Sequence, residues 1–328
     1  MRKLTITTIL LILTLCLQAQ QTVRFSIADG LDNAALAQKI GRNISLLLTE
    51  LNLADEANRQ LRLNNIPITT NASKSLQMLW NNLHFSCDRT RISQHCLTSS
   101  SGYEIRNIDI TLHPVYDGYE GELSRELTIS LSPSGLITGV YLAMQSQSYN
   151  KILREGKTVT DKDRRMSILS FVENFRTCYE EKDIESLREI YSDDALIITG
   201  RVIMKRSVVG EQARLSSTVV YNTQRKEEYL RRLQQTFRRN RYIKVDFSDP
   251  EVERSGSNPN FYAVTLHQHW QSDHYEDDGY LLLLWEFRDD ADPIIHVRTW
   301  QPDYVGNRRL EEKERFSIND FEIPKIRK

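Results

Sequence analysis

"ILSFVENFRTCYEEKDIESLREIYSDDALIITG", Ile168 to Gly200, sets the architecture of the second half of this 328-residue chain. Ile168, Phe171, Val172, Phe175 and Tyr179 recur at three- and four-residue spacing, which puts them on one face of a helix. Asp183 then opens a shorter helix built on Ile184, Leu187 and Ile190. "SDD" ends that helix and "ALIITG" follows as a strand. Further on, "RKEEYLRRLQQTFRR" carries Tyr229, Leu233 and Phe237 at i, i+4 and i+8, the stripe of a third helix. Four strands are expected after it: "YIKVDFSDPEVE", "NFYAVTLHQHW", "GYLLLLWEF" and "PIIHVRTW". Helices followed by a run of antiparallel strands define an α+β layout, not an alternating α/β one.

The first half repeats that order. "DNAALAQKIGRNISLLLTELNLADEA" reads as a helix with Asp32 as its N-cap and Leu36, Ile40, Ile44, Leu47, Leu48 and Leu51 on its buried side. A shorter helix around "SLQMLWNNL" precedes the strands "FSCDRTRISQHCL", "GYEIRNIDITLHPVY" and "ELTISLSPSGLITGVYLAM", the last folded at "SPSG". The organisation expected is therefore a leader at 1–19, an α+β domain at 22–150, a charged linker at 151–163, a second domain at 164–302 and a tail at 303–328. The leader reading comes from Arg2 and Lys3 ahead of "LTITTILLILTLCL" and "QAQQ", the pattern of an export signal cleaved after Ala19. Its apolar run is short for a span of about 20 residues. Cys16 follows Leu15, where a lipoprotein signal would place a small residue, so a soluble periplasmic product is expected over an anchored one. With a net charge of -1, the chain gives no global electrostatic reason to bind nucleic acid.

The segment 168–200, with the later helix and the long hairpins, resembles the nuclear transport factor 2-like superfamily, to which ketosteroid isomerases and polyketide-cyclase-like proteins belong. The pieces that carry the resemblance are the aromatic helix around Phe171 and Phe175, the short helix begun by Asp183, and "YSDDALI" entering the first strand. It covers about residues 163–302 and implies a cone-shaped curved sheet wrapped on helices, with a cavity inside. It also implies that the first half is a divergent second copy, in a tandem exported protein of the Bacteroidetes type. The isomerase chemistry of that superfamily needs a phenol and a carboxylate base. The matching positions here hold Phe175 and Thr199, which supply neither. The resemblance thus favours a non-catalytic binding or assembly protein of the cell envelope. A small-molecule binder or SnoaL-like enzyme using the second cavity is the alternative.

Several residues are candidates for that cavity. Phe175 and Tyr179 come from the first helix, Thr199 from the first strand, Trp285 from "YLLLLWEF", and Arg298 and Trp300 from "HVRTWQPD". An Arg and Trp rim would suit a small anionic or planar ligand, though a plain cross-strand ladder is the favoured reading. "YLLLLWEF" is apolar on both faces and should be a central strand. Its outer face, Tyr280, Leu282 and Leu284, is the expected contact for a protein partner or a second copy. Within "LHQHWQSDHYEDDG", His267 and His269 share a strand face, yet no HExxH or paired-Cys element accompanies them, so sheet residues are expected and no metal or other cofactor. "SDHYEDDG" has turn composition. The basic helix 225–239 is read as a solvated face. Cys87 and Cys96 bracket eight residues and are either a disulfide or two buried thiols; Cys178 falls on a helical core stripe.

Overall fold

The computed structural model describes residues 22–99, 102–115, 123–143, 162–209, 212–287 and 293–324. The expected leader, Cys16 and most of the expected linker lie outside the described residues. The chain divides into two compact units, Met1–Ala143 and Met144–Lys328.

The first unit contains β1 (Arg24–Ile27), α1 (Ala34–Glu56), α2 (Thr70–Asn82), β2 (Leu83–Ser86), β3 (Arg91–Gln94), β4 (Cys96–Ser99), β5 (Gly102–Pro114), β6 (Ser124–Leu131) and β7 (Ile137–Leu142). The cap of α1 is Asn33, one residue past Asp32; its side chain accepts the Leu36 N–H at 3.0 Å. Ile40, Ile44, Leu47, Leu48 and Leu51 are fully buried, as their spacing requires. They pack on an antiparallel sheet ordered β2-β5-β6-β7, with β4 also paired to β5. The single strand expected at 85–97 is three short ones, because β3 leaves the main sheet to pair in parallel with β1. The other edge of β1 lies on α1. The Val23 and Phe25 amides donate to Thr49 Oγ1 at 3.0 Å and Ser45 Oγ at 2.8 Å. A Cβ on Gly41 would come 3.1 Å from the Phe25 carbonyl oxygen. Gly41, Ser45 and Thr49 thus form a low, hydroxylated ridge at four-residue intervals that satisfies amides a strand edge would otherwise leave open.

Cys87 and Cys96 are free, buried thiols, which corrects the disulfide alternative. Each backbone is tied to a different element. Cys87 exchanges hydrogen bonds with the Asn52 side chain at 2.8 and 3.1 Å, whereas Cys96 pairs with Ile105 in β5. Burial pushes the Cys87 thiol up to about 12 and the Cys96 thiol up to about 11; Cys178, wholly enclosed, is also raised by burial. Thiols rather than thiolates are therefore present at neutral pH, and thiols are poor nucleophiles. Iodoacetamide at pH 8 is expected to leave all three unmodified in the native chain and to label all three after denaturation. A denatured mass two hydrogens light, with one labelled cysteine, would overturn the free-thiol assignment.

The second unit contains α3 (Lys162–Glu180), α4 (Ile184–Ile190), β8 (Tyr191–Val209), β9 (Gln212–Arg225), α5 (Lys226–Arg239), β10 (Ile243–Arg254), β11 (Phe261–Ser272), β12 (Glu276–Glu286), β13 (Ile294–Pro302) and the short β14 (Tyr304–Val305) and β15 (Arg308–Arg309). Helix α3 starts at Lys162, inside the stretch expected as linker. Six strands form one curled sheet ordered β10-β11-β12-β13-β8-β9, antiparallel except for the parallel pair β13–β8. Its concave face closes on the three helices through Val172, Phe175, Leu230, Val264, Leu266, Leu281, Leu283 and Ile295. The helix-then-curved-sheet layout is an α+β arrangement, as the patterning required.

Strand β12 is central, between β11 and β13, and buried on both faces. The outer face is where the structure corrects the sequence reading. Tyr280, Leu282 and Leu284 are not a free face for a partner; the C-terminal tail of the same chain covers them. Leu282 and Leu284 cluster with Phe261, Ala263, Val297 and Ile318, and Phe316, Phe321 and Ile323 pack against that cluster. The Arg315 guanidinium sits 3.6 Å from the Tyr280 ring centroid. Gln301 Nε2 donates to Tyr221 Oη at 2.7 Å and to the Glu314 carbonyl at 3.0 Å, while its Oε1 accepts the Phe316 N–H at 2.7 Å. The alternating apolar residues of the tail do dock, but through two 3-10 turns, Glu312–Glu314 and Ile318–Asp320, and not as a strand. On α5 part of the basic face is paired within the unit, Arg232 with Glu228 at 2.6 Å and Glu227 with Arg188.

Candidate functional site: a polar cluster inside the second unit

Strand pairing brings the sequence candidates onto the concave face. Arg298 lies opposite Leu283 on β12 and Ile197 on β8; Trp300 lies opposite Leu281 and Thr199. From α3, Phe175 packs on Tyr179 with centroids 5.0 Å apart and on Trp285 at 6.4 Å. Phe175, Tyr179, Thr199, Trp285, Arg298 and Trp300 therefore share one interior.

The centre of that interior is polar. Tyr179 Oη lies 2.7 Å from Tyr229 Oη and 3.2 Å from Tyr191 Oη, so one phenol from each of α3, α5 and the start of β8 meet. Burial raises all three phenols well above the usual tyrosine range, so they are neutral hydrogen-bonding groups. Arg298 is only 6% exposed, and its guanidinium sits 5.3 Å from the Tyr229 ring centroid. Its Nε and Nη1 are buried and have no acceptor. The indole nitrogens of Trp285 and Trp300 are likewise buried donors without a partner.

Sequence reasoning missed three members of the cluster. Tyr229 read as one residue of a helical stripe, and Tyr191 as the first residue of "YSDDALI" entering the first strand. Asp277 read as turn composition, but the turn is confined to Ser272–Tyr275, where the Ser272 N–H bonds the Tyr275 carbonyl at 2.8 Å, and β12 begins at Glu276. That earlier start pairs Asp277 with Trp270, which packs edge-on to Tyr179 at 5.9 Å. Trp270, Asp277 and Trp300 are half-buried, and Trp300 lies over Gly279. A Cβ on Gly279 would sit 2.7 Å from two Trp300 ring atoms and 2.3 Å from the Gln301 carbonyl oxygen. Glycine at this position is what lets the indole cross the strand.

Burial raises Asp277 above the usual carboxylate range; a hydrogen bond from the Tyr275 hydroxyl and the charge of Arg298 oppose the shift without cancelling it. An acid whose folded pKa lies above its unfolded value favours folding while protonated and loses that contribution as pH rises through the folded value. Asp277→Asn is therefore expected to be neutral to stability near pH 3 and stabilising above the carboxylate range. Urea midpoints measured at pH 3 and pH 7 check this; an equal change at both pH values would contradict it.

The histidines project to the convex face, as their alternation requires. His267 lies 3.6 Å from Asp303 and stacks edge-on to Tyr280, and His269 lies 3.0 Å from Asp278. Among the described residues no three His, Cys, Asp or Glu side chains are gathered as metal ligands. The first unit has an open groove of about 880 Å³ lined by β1, α1 and Asn65–Ile66, among them Phe25, Leu46, Arg24 and Arg42. Its one carboxylate, Glu50, is already held by Arg59 at 2.6 Å. No described helix is long and apolar enough to cross a membrane.

No protein-family model and no curated protein matches the chain. Among solved structures it is similar in part to Bd1075 of Bdellovibrio bacteriovorus, with 19% identity and a TM-score of 0.32 over 51% of this chain and 46% of that one. It is also similar to an NTF2-like protein from Cytophaga hutchinsonii, with 16% identity and a TM-score of 0.32 over 42% of this chain and 98% of that one. A third, a conserved protein from Planctomyces limnophilus, gives 13% identity and a TM-score of 0.33 over 43% and 99%.

Proposed function

We propose that the chain is an exported envelope protein that binds a small molecule inside the NTF2-like cone of its second unit. In this reading the first unit is a divergent copy of the same fold. The observation that carries it is the gathering of Arg298, Tyr179, Tyr191 and Tyr229 against the hydrophobic cluster of the second unit. Buried polar groups cost free energy, and a purely structural interior would be filled with hydrocarbon at less cost. The assembly alternative has lost its motive, because the tail occupies the apolar face that suggested it. Binding is favoured over turnover, since Phe175 and Thr199 stand where the superfamily's isomerases need a phenol and a base.

Purification of the native chain from its own envelope, followed by denaturation and mass spectrometry of the supernatant, tests the reading. A small organic molecule released at near-stoichiometric amount is the expected result. A chain that fractionates with the cytoplasm and releases nothing would sink it.

A further inference from the structure

We propose that the open groove of the first unit docks an acidic amphipathic helix of a partner protein. This surface is separate from the cone, and the proposal does not rest on the cone-binding reading. The groove, of about 880 Å³, runs along α1 from Ala37 to Leu53 and is lined on its other sides by β1 and by Arg62, Asn65 and Ile66. At the helical rise that wall is about 24 Å long, roughly four turns of a partner helix. Leu46 is 49% exposed, Ile27 and Leu53 are half-buried, and the buried Phe25 and Ile66 also line the groove. The hydroxyls of the walls are engaged within the chain. Ser45 Oγ accepts the Phe25 N–H at 2.8 Å and donates to the Gly41 carbonyl at 2.7 Å, and Thr49 Oγ1 accepts the Val23 N–H at 3.0 Å. Those two amides are the ones an added strand would use, so an extended peptide finds no ladder here. A helix satisfies its own backbone and brings one apolar stripe, which is what such a groove takes.

Charge selects the polar side of that helix. Arg24, Arg42 and Arg62 line the groove and are exposed, and among the described residues no carboxylate lies within ion-pair distance of any of them. The one lining carboxylate, Glu50, is already engaged: it pairs with Arg59 at 2.6 Å and accepts the Arg62 N–H at 2.6 Å. Arg91, opposite Arg24 on β3, adds a fourth exposed cation. Like charges side by side repel, and carboxylates of a partner relieve that repulsion. The placement of the cations matters as well. Arg42 sits one turn before Leu46 on α1, Arg24 lies on β1, and Arg62 follows the helix beside Glu50, so the charges are spread along the groove. A fatty acid or other single-headed lipid calls for cations gathered at one end; a row of cations suits carboxylates repeated along a helix.

The test uses the full chain and three synthetic helices of about 18 residues, roughly five turns each. They share one leucine stripe and an alanine backing, and differ only in carrying Glu, Gln or Lys beside the stripe. Fluorescence anisotropy of the labelled helices is expected to show the Glu form binding about tenfold tighter than the Gln form, with no binding of the Lys form. Arg24→Glu combined with Arg42→Glu should reverse that order, and Leu46→Ser should weaken the Glu form without changing the order. All three side chains are exposed, so these variants should melt with the native chain; if one does not, Arg62→Glu takes its place. Equal binding of the three helices overturns the acidic partner, and binding of none overturns the docking site. Binding of oleate or of phosphatidylglycerol vesicles that is lost in the same arginine variants assigns the groove to an anionic lipid and overturns the proposal.

Discussion

Ending the chain at Leu310 is expected to make the protein self-associate. The tail beyond that residue supplies Phe316, Ile318, Phe321 and Ile323 to the cluster that hides Phe261, Leu282 and Leu284. Returning a fully buried aliphatic or aromatic side chain to water costs about 1.5–3 kcal/mol, and several are uncovered together. The strands beneath remain paired in the six-stranded sheet, so the loss produces an exposed apolar patch and not a missing strand. Light scattering after size exclusion should show a larger species or precipitation for the truncated chain. Replacing Leu282 and Leu284 with Lys in the same truncation should restore the smaller species. A truncated chain that behaves like the full one in scattering and melting temperature would show that the cover is dispensable.

Phe175→Ala should be the most damaging single substitution in the second unit. The ring is fully buried and lies within 5.0 to 6.4 Å of Tyr179, Tyr191, Phe247 and Trp285, so its removal leaves a cavity bordered by all four. Losses of about 3–5 kcal/mol follow from Phe→Ala changes in such cores. Against a total stability of about 5–15 kcal/mol, that is a large share. It also removes the packing that fixes Tyr179, so ligand affinity should fall with stability. Urea unfolding followed by tryptophan emission reports this directly, because Trp270, Trp285 and Trp300 all lie in the second unit. A midpoint within error of the native chain would mean that the interior tolerates the void.

Much of this architecture was legible from local pattern. The 3.6-residue stripes at 36–51 and 168–179, the run of alternating strands and the doubly apolar "YLLLLWEF" each follow from which faces must leave water. Phe175, Tyr179, Thr199, Trp285, Arg298 and Trp300 could be assigned to one side of their elements because period-two and helical spacing fix faces. What pattern could not assign was occupancy. Tyr191 and Tyr229 look like ordinary core aromatics until the sheet curls and brings their hydroxyls to Tyr179. Asp277 looks like turn composition until β12 starts at Glu276 and its side chain turns inward. The free thiols of Cys87 and Cys96 depend on separate anchors, Asn52 and β5, which no spacing rule reports.

The sequence by itself determined the α+β class, the order of helices before the sheet in the second half and the two-sided burial of Tyr280 to Phe287, because amphipathic period is a local property of the chain. In the first half a strand, β1, precedes the helices. Only the tertiary structure decided what buries each side. The outer face that patterning offered to a partner is filled by the chain's own last residues, since nothing in Leu282 or Leu284 distinguishes a covering tail from another protein. The charge of Arg298 could be read from the sequence; the absence of a carboxylate beside it could not. Ion pairing depends on which distant residues the fold brings within reach, and here it brings three neutral phenols.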